Sequence, residues 1–259
     1  MNAWIAFGRG PLFRLAFSLM VLGLLRVVLL TVIGIVEAYR RNSDRIVPWK
    51  AIARQTLGWL VPVQKLWGAR PVYSAVSVLF HVGLLVVPLF LAAHVRLWRD
   101  TLGFAWPGLG RKPADYLTLL AIAGAIGLFC GRAFCRSARA LSRLQDYVWP
   151  LLLAFPFVTG YLCSHAALAP RAYQALMLVH VYAADLILAM IPFTKIAHCV
   201  LTPFSQAVTA VAWKFVPGAG ERVAATLGYS GLPTWVANSR LGAARSAAPA
   251  EIKKEVLAK

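Results

Sequence analysis

The sequence predicts an all-α integral membrane protein of five membrane-spanning helices, and three observations lead there. Of 259 residues, 60% are hydrophobic and only 14% charged, where a soluble domain of this size carries about a quarter charged residues. Mean hydropathy is +0.68. The apolar residues gather in five windows, about 12–37, 72–97, 114–131, 146–164 and 172–199. Each suits the roughly 20 residues that a helix needs to cross a bilayer core. Residues 1–205 are expected to form the membrane domain and 206–259 a tail.

The formal charge of +18 does not point to nucleic acid, because the basic residues sit in short loops between the apolar windows. The connector 38–71 holds Arg40, Arg41, Arg45, Lys50, Arg54, Lys65 and Arg70, and the loop after the third span holds Arg132, Arg136, Arg139 and Arg143. With eight more from Lys195 onward, this side carries nineteen basic residues against seven on the other. The positive-inside rule places the N-terminus outside and the C-terminal tail in the cytoplasm, in a cytoplasmic (inner) membrane. No cleavable leader is expected. Leu12–Val36 is long enough to span and ends on the basic stop Tyr39-Arg40-Arg41.

Within the connector, Ile52, Thr56, Trp59, Leu60, Val63 and Trp67 recur at helical spacing among basic residues. They predict an amphipathic interfacial helix with a break at Pro62, either a membrane-surface helix or a platform for a cytoplasmic subunit. The tail from Ser239 is Ala-rich, charged and unpatterned, and is expected to be flexible or ordered only against a partner. Cys130, Cys135, Cys163 and Cys199 form no C-x-x-C pair, so neither an iron–sulfur site nor covalently attached haem is signalled within the chain.

All five histidines lie in or at the ends of spans, where ionisable side chains are costly and functional. His180 and His198 are eighteen residues apart on the fifth span. In one continuous helix that is five turns, with both rings on one face and roughly 27 Å between them. The second span runs the opposite way and carries His81 and His94, so depth matches His81 with His198 and His94 with His180. Each pair offers both axial ligands of a low-spin haem, closed to oxygen and suited to electron transfer. His81 and His94 stand about 220° apart around an ideal helix, so Pro88 between them is expected to kink or unwind it. His165, at the outer end of the fourth span, is a reserve ligand, a loop residue or part of a quinone pocket.

Four segments carry a family resemblance: Arg70–Leu85 (RPVYSAVSVLFHVGLL), Ser142–Leu153 (SRLQDYVWPLLL), Pro192–Phe204 (PFTKIAHCVLTPF), and His180 placed eighteen residues before His198. Over about residues 10–205 the chain resembles the cytochrome b family of the respiratory nitrate reductase gamma subunit. Its closer likeness is to the membrane subunits of heterodisulfide reductase and the DsrM-like and TmcC-like complexes of sulfate reducers. The resemblance implies five helices, two b-type haems ligated from the second and fifth, and menaquinone or another quinone as substrate. It also implies a cytoplasmic iron–sulfur partner like the heterodisulfide reductase catalytic subunit and, in some relatives, a periplasmic multihaem cytochrome c. By motif position His180 and His198 carry over, followed by His81. The second-helix spacing to His94 is longer than in nitrate reductase.

Two charges fall inside spans, Arg26 in the first and Asp185 in the fifth. An unpaired charge there costs at least about 2.5–3.5 kcal/mol. They are expected to neutralise each other, or Arg26 to hold a haem propionate and Asp185 to serve proton transfer. Lys195, one turn before His198, is a further propionate candidate or snorkels to the interface. Asp146 and Tyr147 read as a helix start and an interfacial aromatic. Quinone candidates are His94, His165 and Tyr161 on the outer side and Lys195, Tyr73 and Arg70 on the inner. The expectation is a dihaem cytochrome b, the quinone-reactive subunit of a larger oxidoreductase. The alternatives are a haem-free membrane scaffold and a proton-conducting transporter.

Overall fold

The computed structural model describes residues 1–41, 49–60 and 71–209. Among them the chain is helical, with a lone parallel bridge between Leu91 and Leu109 in place of any strand. In order, α1 (Asn2–Phe7) leads through a π turn (Gly8–Leu12) into α2 (Phe13–Arg41), then come α3 (Trp49–Leu60), α4 (Pro71–Phe90) and α5 (Ala92–Leu102). There follow α6 (Arg111–Phe134), α7 (Arg136–Leu141), α8 (Leu144–His165), α9 (Pro170–Met190) and α10 (His198–Thr209). Among the described residues, five helical stretches are long and apolar enough to cross a membrane: Asn2–Arg41, Pro71–Phe90, Arg111–Phe134, Leu144–His165 and Pro170–Phe193. The side chains agree, since leucines such as Leu15, Leu22 and Leu30 stand exposed along α2. Such a surface is stable in lipid and a liability in water.

The described residues divide into two compact units, residues 1–23 with 71–195, and residues 24–41 and 49–60 with 196–209. In the first, α4 packs on α6, α6 on α8, and α8 on α9, with α1 and the π turn against α9. Small residues make this possible. Ala114, Ala121 and Ala125 on α6 are buried. A Cβ on Gly124 would stand 2.8 Å from the Cβ of Phe80, and one on Gly83 would stand 2.5 Å from the Leu117 carbonyl oxygen. Between apolar helices in lipid no hydrophobic force draws them together, so close backbone approach and dispersion carry the contact. In the second unit α3 packs on α10, burying Ile52. The amphipathic helix expected in the connector is therefore present over Trp49–Leu60, while Pro62, Val63, Trp67 and Arg70 lie outside the described residues. So does the tail beyond Thr209.

Two spans depart from their sequence expectation. The second ends at Phe90, not near residue 97, because Leu91 is extended (φ −60°, ψ 128°) and α5 starts afresh behind it. Pro88 lies inside α4, and the chain opens three residues after it. Pro88 has no N–H for the preceding turn, which weakens the helix locally. The opening strands three carbonyls that α4 can no longer satisfy. Trp98 Nε1 donates to Pro88 O (2.9 Å), Trp106 Nε1 to Leu89 O (2.9 Å) and the Leu109 amide to Phe90 O (2.6 Å). Each released acceptor has a donor, as backbone at membrane depth requires.

The fifth span breaks as well. After Met190 come a 3₁₀ turn Ile191–Phe193 containing Pro192, an extended Thr194 (φ −129°, ψ 176°) and a second 3₁₀ turn Lys195–Ala197. His198 then opens a new helix. The expected continuous helix over 172–199, with His180 and His198 on one face five turns apart, is not formed. Proline cannot donate to the preceding turn, and the extended residue after it resets the helical phase.

Packing predicts a contrast between two glycines. Gly124→Ala forces α4 and α6 apart and is expected to cost about 1–3 kcal/mol. Gly34→Ala, on α2 with open space around its Cβ position, leaves stability unchanged. Unfolding by SDS in mixed micelles measures both, and equal midpoints for the two variants would contradict the packing account.

Candidate functional site

The break at Leu91 and the contact between α8 and α9 converge on two histidines. His180 lies on α9, pressed against α8 where Gly160 leaves room: a Cβ there would stand 2.9 Å from His180 Cε1. Its Nδ1 is 2.9 Å from the Pro156 carbonyl and 3.2 Å from Thr159 Oγ1. A carbonyl can only accept, so Nδ1 carries the proton and Nε2 keeps its lone pair. The Thr159 hydroxyl itself donates back to its own helix at Phe155 O (3.0 Å).

His94 belongs to α5, the helix re-aimed by the break. Its Nδ1 donates to the Val87 carbonyl at 3.2 Å, which fixes the same tautomer. The two rings lie 6.2 Å apart, centre to centre, with planes only 7° from parallel. The separation and the parallel planes are compatible with two imidazoles sharing one metal ion, whose bonds to nitrogen run about 2.0–2.1 Å. Both Nδ1 protons are anchored on backbone carbonyls, the second shell that orients metal-binding histidines and raises their basicity. Among the described residues no group of three His, Cys, Asp or Glu side chains gathers as a protein-only metal site needs. Two imidazoles suit an iron whose remaining ligands come from a macrocycle.

The other histidines fall in three different settings. His81 on α4 repeats the pattern, with Nδ1 donating to Ser77 O at 2.7 Å and its ring edge-on to Phe80. His198 starts α10, in the second unit. His165 has both nitrogens engaged, Nδ1 with Tyr161 O (3.0 Å) and Nε2 with Asp115 Oδ2 (3.1 Å), and its ring stacks on Tyr161 at 4.1 Å.

The charged candidates are placed differently from expectation. Lys195 Nζ meets both carboxylate oxygens of Asp146, at 2.7 and 2.9 Å. Asp146 also accepts from the Arg143 amide at 2.9 Å, closing a capping box at the start of α8. Lys195 therefore has a carboxylate of the chain itself beside it. Asp185 is buried, and its Oδ2 has no hydrogen-bond partner. Arg26 is exposed on α2. Neither joins an ion pair among the described residues. Tyr73 packs beside the cluster of Phe80, Ala125, Leu128 and Ala154. Trp98, Trp106, Thr159 and Gly160 all shape the paired-histidine site and carried no motif in the sequence. Proline positions were their one signal, since a helix broken near Pro88 needs replacement donors nearby.

The fold and site thus define a five-span helical membrane protein with a pair of inward-locked imidazoles. No family model and no solved structure matches the chain. A protein of Nitratidesulfovibrio vulgaris (strain Hildenborough), described simply as "Protein", is 34% identical over 202 residues, covering 76% of this chain and 87% of the relative. The chain belongs to the family of that protein.

The Asp146 junction predicts an ordering of effects. Asp146→Ala removes both the cap and the ion pair and is expected to cost about 1–2 kcal/mol. Lys195→Gln removes a half-exposed pair only and costs about 0–1 kcal/mol. SDS unfolding reads both, and a larger loss for Lys195→Gln would reverse the account.

Proposed function

We propose that the chain is the dihaem cytochrome b subunit of a respiratory redox complex. In this reading it relays single electrons between membrane quinone and a cytoplasmic iron–sulfur partner of the heterodisulfide reductase kind, or a periplasmic cytochrome c. The observation that carries the reading is the His94–His180 pair: parallel rings 6.2 Å apart, both with Nδ1 tied to backbone carbonyls. His81, with the same Nδ1 tether, and His198 are the proposed ligands of the second haem. The resemblance of the segments around His81 and His198 to nitrate reductase gamma-like subunits supports that second pair.

A b-type haem bound by His94 and His180 would supply a one-electron couple. The chain does the rest. Gly160 leaves the space in which the His180 ring lies. Thr159 and the Pro156 carbonyl hold that ring's tautomer. The break at Leu91 turns α5 so that His94 faces it. The apolar helices around the pair exclude water and hold the dielectric low, which tunes a redox centre as much as its ligands do. Moving one electron across 100 mV of membrane potential is worth about 2.3 kcal/mol, so haems at two depths would couple the relay to that potential. For quinone, Tyr161 at one end of α8, with the His165 ring stacked on it, and Tyr73 on α4 remain the proposed hydrogen-bonding groups.

Purified from a haem-sufficient host, the protein is expected to show a reduced b-type spectrum and two haems per chain by pyridine haemochrome. Gly160→Val, which drives a side chain into the His180 ring, is expected to lower occupancy of one haem at least tenfold. A protein without haem absorbance would leave the membrane-scaffold reading in its place.

A further inference from the structure

Along its whole length α9 buries a single residue fully, and that residue is an acid. Asp185 is 4% exposed, and the start of the first span closes over its face of the helix. A Cβ on Gly8 would lie 2.7 Å from Val181 Cγ1, and a Cβ on Gly23 would lie 2.6 Å from Pro192 Cβ. Val181 precedes Asp185 by four residues and Pro192 follows it by seven, about one turn before and two turns after. Between the two glycines, Phe13 and Ala16 are buried as well.

Among the described residues nothing compensates this acid. Its Oδ2 is buried without a hydrogen-bond partner, and it joins no ion pair. On α8, which packs against α9, the titrating side chains stand at the two ends: Asp146 and Tyr147 at the start, Tyr161, Cys163 and His165 at the finish. None falls between Val148 and Gly160. Across the other face α1 has none, the π turn has only the exposed Arg9, and Phe13–Gly23 has only Arg14. Arg14 donates to the Asp100 carbonyl at 3.2 Å. On α9 itself Arg171 and Tyr173 lie in the first turn, and His180 and Tyr182 lie nearer, with Tyr182 Oη donating to the Trp4 carbonyl. An unpaired carboxylate in hydrocarbon is costly, so Asp185 holds a proton unless positive charge stands close by.

His180 precedes Asp185 by five residues on the unbroken helix α9, which sets their Cα atoms roughly 8–9 Å apart. Resting on the haem reading of the His94–His180 pair, we propose that Asp185 is a redox-linked proton site. As one electron enters that haem from quinol or the iron–sulfur partner, one proton passes from water to Asp185 Oδ2. Both leave again on reoxidation. The electron cancels one positive charge near the carboxylate, which strengthens its hold on the proton. Unit charges roughly 10 Å apart, at an effective dielectric of about 20, change each other's binding constants by at least about tenfold.

The test is a spectroelectrochemical titration of the full-length, haem-replete protein from mildly acidic to mildly alkaline pH. As pH rises across that range, the reduction constant of one haem is expected to fall about tenfold, which is 59 mV for a one-electron couple. Asp185→Asn keeps the shape but cannot ionise, and is expected to hold that constant level. Asp185→Glu is expected to restore the dependence. Reduced-minus-oxidised infrared spectra are expected to show a carboxylic C=O band in the wild type that Asp185→Asn lacks. A permanently protonated, purely structural acid would leave the wild-type potential flat and the infrared band absent, and either result overturns the proposal. So does a pH dependence that survives in Asp185→Asn. Where that variant fails to assemble, the wild-type infrared band decides alone. A wild type without haem defeats the reading of the pair, whereas a haem-bearing wild type with a flat potential defeats only the role given to Asp185.

Discussion

A helix inside a membrane can break only where other donors meet the carbonyls it releases. In this chain the break at Leu91 frees the carbonyls of Pro88, Leu89 and Phe90, and Trp98, Trp106 and Leu109 meet them one for one. An unmet carbonyl in hydrocarbon costs several kcal/mol, so without those three donors α4 would run on as a straight helix. His94 would then leave it about 220° away from His81. Because the break is satisfied, α5 takes a new direction and presents His94 parallel to His180. The geometry of the candidate site is thus a consequence of backbone bookkeeping several residues away.

The opposite wall of the site depends on the absence of a side chain. Gly160 lets α9 bring the His180 ring against α8, where the Pro156 carbonyl and the Thr159 hydroxyl receive its proton. The same device, glycine or alanine facing a larger neighbour, spaces α4 from α6. Close approach therefore serves both cohesion and ligand placement, and a substitution that loosens one contact of this kind also misplaces an imidazole.

Hydropathy was enough to read the five spans and the amphipathic Trp49–Leu60 helix, because burial in lipid leaves a compositional trace in the residues themselves. Depth alone also put His94 opposite His180, and the two rings do lie 6.2 Å apart. What periodicity could not deliver was the phase of the helices through Pro88 and Pro192. The His180–His198 argument assumed one uninterrupted helix, and the extended Thr194 cancels it. The charged residues were harder still. Lys195 is matched by Asp146, forty-nine positions earlier in the chain, and Trp98 and Trp106 meet the carbonyls of Pro88 and Leu89 from ten and seventeen positions away. Neither relation leaves a local pattern in the sequence.

The central claim is that His94 and His180 serve one haem together. Haem content and low-spin electron paramagnetic resonance of His94→Ala, His180→Ala and the double variant test it most directly. The account predicts that each single variant loses the same low-spin signal, and that the double variant loses nothing more. Loss of different signals in the two single variants, or retention of both haems in either one, would contradict it.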